Sequence, residues 1–488
     1  MLEGVRVESF LENIDAKIAA MRDKAFFGHP GGLGWLAAAE FWERFSYYGM
    51  QALLVLYMTH WLLLPGHVEH VLGFPPFRRV IETLYGAHSP QAVASGVFGI
   101  YTAFVYVTPL GGGWLADRFI GRTHAVTLGA SLMALGHFLM AFEASFLIAL
   151  TCLLLGVGCF KGNIASQVGD LYGPNDPRRA DAFQIYLFGI QIAVIFSPLI
   201  CGTLGQKVAW HYGFGAAGVG MVIGLVIYLS GRSWLPKEAP RRRPAKRAPQ
   251  PAPQSSAPGD ALSGAQWRKL LILFALLPVL AVALVGNQEA GNAYLVWGER
   301  NYQLHYFGFD FPITWILSFG SIVSALTILL SVSFWRWWAT KWREPDEISK
   351  IAIGVTIGAL APLALAVAAV MQAASGGKIS LGWAAVFEIV NDIGFANVLP
   401  VGLALYSRAA PKRIAGLIIG IYYLHLFLGN LFVGWLGGQL EKMPAASFWL
   451  LHAGLMGVAA VILIAVRFSV GRSLAPAYDA PHAVAEAA

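Results

Sequence analysis

Runs of mostly apolar residues, each about as long as the 20 or so that a bilayer-crossing helix requires, recur along the whole chain. Twelve can be drawn, near 33–64, 91–114, 123–143, 146–171, 181–205, 212–235, 268–297, 310–334, 349–372, 380–406, 414–439 and 446–468. Composition excludes the soluble alternative. Of 488 residues, 57% are hydrophobic and only 12% charged, against about a quarter charged in soluble domains. In lipid every backbone polar group must be satisfied internally, and the alternation of barrel strands is absent, so the spans are expected to be helices. Cys152, Cys159 and Cys201 sit inside apolar runs, with no spacing suited to disulfides or zinc. The chain is expected to be a polytopic, all-α protein of the cell membrane.

Basic residues set the orientation. They gather before the first span (Lys17, Arg22, Lys24) and after the second, fourth, sixth, eighth, tenth and twelfth, for example Arg118, Arg178, Arg241, Arg336, Arg408 and Arg472. The opposite loops are poorer, with Arg78 and Arg79 the main exception. Both termini are therefore expected in the cytoplasm, and the net charge of +7 is orientation information rather than a nucleic-acid surface. Residues 1–30 are mixed polar and apolar, so no signal peptide is expected there, and residues 5–27 are expected to lie on the membrane as an amphipathic helix. The Pro-, Ala- and Arg-rich stretch 236–266 reads as a flexible linker dividing the spans six and six. The expected organisation is a cytoplasmic segment 1–32, a six-helix bundle 33–235, the linker 236–266, a second bundle 267–470 and a cytoplasmic tail 471–488.

Ionisable groups inside a span are costly, by about 3 kcal/mol on insertion scales, and so point to function. The first span carries Glu40, Glu43 and Arg44 on one face, at spacings of three and four residues. One guanidinium cannot fully satisfy two carboxylates. One acid should hold the arginine while the other binds and releases a proton, unless the cluster is a static ion pair joining helices. Lys161 lies about two turns inside the fourth span and must pair, deprotonate or meet water. Glu289 in the seventh span and Glu388 in the tenth are further functional candidates. For Asp392 and for His425 in the eleventh, packing or a local hydrogen bond is the expected role.

Two motifs resemble known families. Gly113-Trp-Leu-Ala-Asp117-Arg118-Phe-Ile-Gly121-Arg122 resembles the cytoplasmic loop signature of the major facilitator superfamily, which implies a conformational latch at Asp117, Arg118 and Arg122. Glu40-Phe-Trp-Glu43-Arg44-Phe45-Ser-Tyr47-Tyr48-Gly49 resembles the first-helix signature of the proton-dependent oligopeptide transporter family, E-x-x-E-R-F-x-Y-Y-G, at every fixed position. Phe160-Lys161-Gly-Asn163, Val168-Gly-Asp170-Leu-Tyr172, Glu299-Arg300-Asn301, Ala410-Pro411-Lys412-Arg413 and Leu428-Gly429-Asn430 extend the likeness along most of the chain. The resemblance implies a major facilitator fold of twelve helices in two six-helix bundles and proton-driven uptake of di- and tripeptides. It gives proton coupling to Glu40, Glu43, Arg44 and Lys161, recognition of the substrate carboxylate to Lys161 as well, and a cavity lining to Tyr47 and Tyr48. The remaining substrate-site candidates are Gln51, Asn163, Gln191, Gln288, Glu289, Glu388, Phe395, Tyr422 and His425.

The departures from the family pattern fall in the cavity. Gln51 and Gln288 stand where the family pairs an arginine with a glutamate, so both ends of an ion pair are neutral together. Phe395 stands for the glutamate that holds the peptide's amino terminus, Leu187 for a tyrosine, Gln191 for an asparagine, and Gly320-Ser321 for Asn-Pro. Either Glu388 or Glu289 supplies the missing carboxylate, or the solute is an organic anion or amino-acid derivative. No nucleotide-binding loop, zinc-ligand cluster or serine-nucleophile signature marks an enzyme. Protons are the expected coupling ion, with no cofactor and no metal. The expected partners are a small-molecule solute and membrane lipids, with a monomer as the working unit; a sensor that binds without transporting is the alternative from another class.

Overall fold

The computed structural model describes residues 21–173, 176–236, 263–411 and 414–474. Residues 237–262 of the expected linker, the start of the amphipathic segment and the tail beyond 474 lie outside the described residues, as do Lys412 and Arg413. The described residues fall in two compact units, drawn from Met1–Arg78 with Val107–Lys237 and from Arg79–Tyr106 with Glu238–Ala488.

The helices run in the order α1 Gly31–Tyr57, α2 Phe74–Tyr85, α3 Pro90–Leu115, α4 Arg122–Leu139, α5 Phe146–Asp170, α6 Arg178–Ser197 and α7 Trp210–Gly231. They continue as α8 Gly264–Ala283, α9 Ala293–Asn301, α10 Trp315–Ala339, α11 Glu347–Gly358, α12 Leu360–Ser375, α13 Gly382–Ala409, α14 Ala415–Tyr422, α15 Leu424–Gly437 and α16 Ala445–Leu474. Among the described residues, ten helices are long and apolar enough to cross a membrane. Helices also occupy the first and third expected spans, but α1 carries three ionisable residues mid-length and α4 is made less apolar by Arg122, His124 and His137.

One expected span is broken and two others are locally irregular. The seventh is broken between α8 and α9, where a turn Val285–Gln288 and a 3₁₀ turn Glu289–Gly291 intervene. The ninth and eleventh run as single helices, Glu347–Ser375 and Gly416–Gly437, each with one locally irregular residue, Ala359 between α11 and α12 and Tyr423 between α14 and α15. The off-pattern arginines, Arg78 and Arg79, lie on the amphipathic helix α2, whose Phe74 and Ile81 are buried. One antiparallel ribbon, His305–Tyr306 with Phe309–Asp310, is the sole paired-strand element among the described residues.

In the first unit α1 packs against α6 and α7, and α4 against α5 and α7. The α3–α4 connection turns at Gly121, whose φ of 85° suits a residue without Cβ. In the second unit α13 packs against α10 and α11, while α16 packs against α11 and α12. Its apolar core includes Leu273, Leu277, Ile351, Val355, Leu405 and Leu463. α8 begins with a reciprocal cap between Ser263 and Gln266, and α11 begins with Asp346 accepting from the Ser349 amide at 2.9 Å.

Candidate functional site

In the first unit, α1 passes through the bundle with apolar residues such as Leu36, Met50 and Leu54 fully buried around it. Its one-turn spacing then brings Glu40, Glu43 and Arg44 together at 2%, 0% and 3% exposure. Arg44 Nε donates to Glu40 Oε1 at 2.9 Å, while Glu43 Oε2 lies 2.6 Å from the same nitrogen as an ion pair without a hydrogen bond. The Tyr186 hydroxyl on α6 faces Glu40, and Tyr48 lies beside the guanidinium. The Tyr47 ring centre is 5.7 Å from the guanidinium carbon, within cation–π range. Lys161 on α5 is close enough to act electrostatically on Glu40, Glu43 and Arg44.

With both acids ionised, these four charges sum to zero. Adding a single proton leaves one cation uncompensated in a largely buried site, which favours an anion beside it. Nothing in the sequence beyond a tyrosine in the fifth span points to Tyr186.

The other first-unit candidates play varied parts. Asn163 spends its amide on the Cys159 carbonyl at 2.8 Å and the Gly112 carbonyl at 3.4 Å, which ties α5 to α3. Gln51 and Gln191 are half-buried. In the loop motif, Arg122 Nη1 lies 2.6 Å from Asp170 Oδ2, with Asp117 3.7 Å from Nε. The principal partner of Arg122 is thus at the end of α5, beyond the motif itself.

The second unit holds a separate polar cluster. Glu388 and Asp392 are one turn apart on α13 and buried to 4% and 2% exposure. The Tyr294 hydroxyl faces Glu388, and the Ser324 hydroxyl faces Asp392. Glu388 reaches across to α10 at Gly320: a Cβ there would lie 2.6 Å from Glu388 Oε2. The glycine is what leaves room for the carboxylate. Gln288 accepts from Asn430 Nδ2 at 3.1 Å. Glu289 is fully buried at the break between α8 and α9, where its Oε1 accepts from the Ala293 amide and from Asn292 Nδ2, each at 3.3 Å.

Tyr422, His425 and Phe395 stand apart from that cluster. The Tyr422 hydroxyl donates to the Leu399 carbonyl at 2.6 Å, and His425 Nδ1 bonds the Tyr422 carbonyl. Phe395 packs on the same apolar core. Among the described residues no group of three or more His, Cys, Asp or Glu side chains could hold a metal ion.

Ten apolar helices with ion clusters buried among them define a multi-pass membrane protein. Residues 123–250 match the POT family. Over 457 residues the chain is 30% identical to a di-/tripeptide transporter of Lactococcus lactis subsp. cremoris, covering 82% of this chain and 88% of that one. Over 489 residues it is 28% identical to the peptide transporter YePEPT of Yersinia enterocolitica, with coverage of 86% and 91%. A crystal structure of a peptide transporter POT in complex with sulfate shares the fold, with a TM-score of 0.77 at 24% identity over 92% of this chain and 96% of that one. The chain belongs to the POT family and is a transporter rather than an enzyme.

Proposed function

We propose that this protein is a proton-coupled symporter that imports di- and tripeptides or peptide-like solutes by alternating access. Twelve spans in a major facilitator arrangement of two six-helix bundles, with both termini in the cytoplasm, complete the reading. It works as a monomer surrounded by lipid.

The observation that carries the proposal is the buried set Glu40, Glu43 and Arg44 with Lys161 beside it. A proton entering from outside neutralises Glu43 or Glu40 and loosens its hold on Arg44. The uncompensated cation then draws the substrate carboxylate toward Lys161. When the proton leaves to the cytoplasm the charges close on one another again, and the carboxylate is released. One proton crossing 100 mV gains about 2.3 kcal/mol, enough for roughly fifty-fold accumulation.

Glu388 is the carboxylate proposed to receive the substrate's amino group. It lies seven residues before Phe395 on the same helix, and Gly320 opens the space it occupies. Both support a shifted site for the charge that Phe395 lacks. The test is uptake into proteoliposomes under an imposed pH gradient, with competition by dipeptides, tripeptides and small organic acids. Peptides should compete and organic acids should not; the reverse pattern would transfer the assignment to an organic anion or amino-acid derivative.

A further inference from the structure

The break between α8 and α9 holds a titratable pair outside the machinery described above. At Asn292 the backbone turns to φ −121° and ψ −117°, which interrupts the helical hydrogen bonds. Glu289 Oε1 repairs the gap by accepting from Ala293 and Asn292, and Asn292 Nδ2 also reaches the Val433 carbonyl on α15 at 3.3 Å. The other oxygen, Oε2, points to His452 on α16, 4.0 Å from Nε2. Glu289 and His452 are both 0% exposed.

The tautomer follows from the far side of the ring. His452 Nδ1 is 2.9 Å from the Phe448 carbonyl, which can only accept, so Nδ1 carries the hydrogen. Neutral His452 therefore presents a lone pair at Nε2 to a carboxylate oxygen. Neither Oε2 nor Nε2 has another hydrogen-bond partner. Two facing acceptors plus an uncompensated charge in a dry interior are costly by several kcal/mol. One proton removes both penalties, either as a carboxylic acid donating to imidazole or as a carboxylate beside imidazolium.

We propose that Glu289 and His452 together form a second proton-binding site, seated on the break in the seventh span. The walls around it are aromatic: the rings of Phe448 and Trp449 lie 4.5 Å and 5.4 Å from the imidazole. Asn391 on α13 and Met456 on α16 approach the neighbouring Gly286. Of the other titratable groups nearby, Tyr294 on α9 faces Tyr302 and Glu388, Glu388 acts on Asp392 one turn along α13, and His425 on α15 is turned to the Tyr422 carbonyl. Because Glu289 also caps the start of α9, loss of the proton acts directly on the joint between α8 and α9. That gives the site a means of coupling proton occupancy to bending, a role that rests on the proton-driven reading; the occupancy itself does not.

The test is pH-dependent infrared difference spectroscopy of the full-length protein in phospholipid nanodiscs, comparing wild type with Glu289→Gln and His452→Gln. Glu289→Gln retains an oxygen for Ala293 and Asn292 and offers an N–H to His452, so the fold is expected to survive it. The expected result is a titrating carboxyl or imidazolium signal that Glu289→Gln removes and His452→Gln removes or shifts. Spectra of wild type and Glu289→Gln that coincide across the titration overturn the proposal. If His452→Gln fails to fold, labelled-histidine NMR of the wild type decides instead: an imidazole that stays neutral beside an ionised carboxylate at every pH refutes the shared proton. In proteoliposomes the number of protons entering per dialanine should fall in Glu289→Gln, and an unchanged ratio removes the coupling role. Absence of dialanine uptake by the wild type counts against the transport reading alone, because the spectra decide the proton site without substrate.

Discussion

Replacing Gly320 with alanine would push a methyl group into the carboxylate of Glu388. The new Cβ would lie 2.6 Å from Oε2 and 3.0 Å from Cδ, from a residue on a different helix. Nonbonded heavy atoms settle nearer about 3.5 Å, so the carboxylate must retreat by most of an ångström. The displaced atoms are the far end of a flexible side chain, so the cost falls at the low end of overpacking, about 1 kcal/mol. If Glu388 receives the substrate's amino group, that energy reads out as an increase in KM for dialanine of about 5-fold. The assay is initial uptake into proteoliposomes, with Gly320→Ala made both in the wild type and beside Glu388→Ala. Removing the carboxylate removes the clash, so Gly320→Ala should change KM little in the second background, with a coupling of about 1 kcal/mol. Equal losses in the two backgrounds, or no loss in either, would refute the reasoning.

Two further predictions concern the first unit. Arg122→Ala removes an ion pair whose members are 35% and 49% exposed, so the unfolding free energy should fall by only about 0.2–1 kcal/mol. Maximal uptake velocity should change more than that, because the pair joins the α3–α4 turn to the end of α5; thermal unfolding and transport rates check the split. Hydrogen bonds from the Arg178 side chain and amide hold the Asp176 carboxyl below its ordinary value of 3.8. A depressed carboxyl stabilises the fold above its unfolded pKa and loses that contribution as pH falls through its folded one. The Tm advantage of wild type over Asp176→Asn should therefore be full at neutral pH and shrink below about pH 4, and a difference that is constant with pH would contradict it.

What could be read in the sequence depended on how far apart the cooperating residues lie. Glu40, Glu43 and Arg44 share one helix, so helical spacing alone predicted their meeting, and Arg44 does stand between the two acids. Tyr186 and His452 come from other helices, and nothing in their own surroundings marks them. In the sequence Gly320 reads as half of a replaced Asn-Pro; its meaning lies on the opposite helix, where Glu388 fills the space. Asn287, Gln288, Glu289 and Asn292 stand close together in the seventh span, yet an apolar window cannot register a broken backbone. Asp170 was visible only as part of a motif, because its partner Arg122 is 48 residues away.

The most direct test of proton coupling through the α1 cluster is dialanine accumulation by Glu43→Gln in proteoliposomes carrying an inward proton gradient. Glutamine occupies the volume of Glu43 but takes up no proton, so its charge toward Arg44 no longer varies during the cycle. The account predicts that wild type concentrates dialanine against its gradient while Glu43→Gln only equilibrates it. Accumulation by Glu43→Gln that still follows the proton gradient would contradict the assigned role of Glu43.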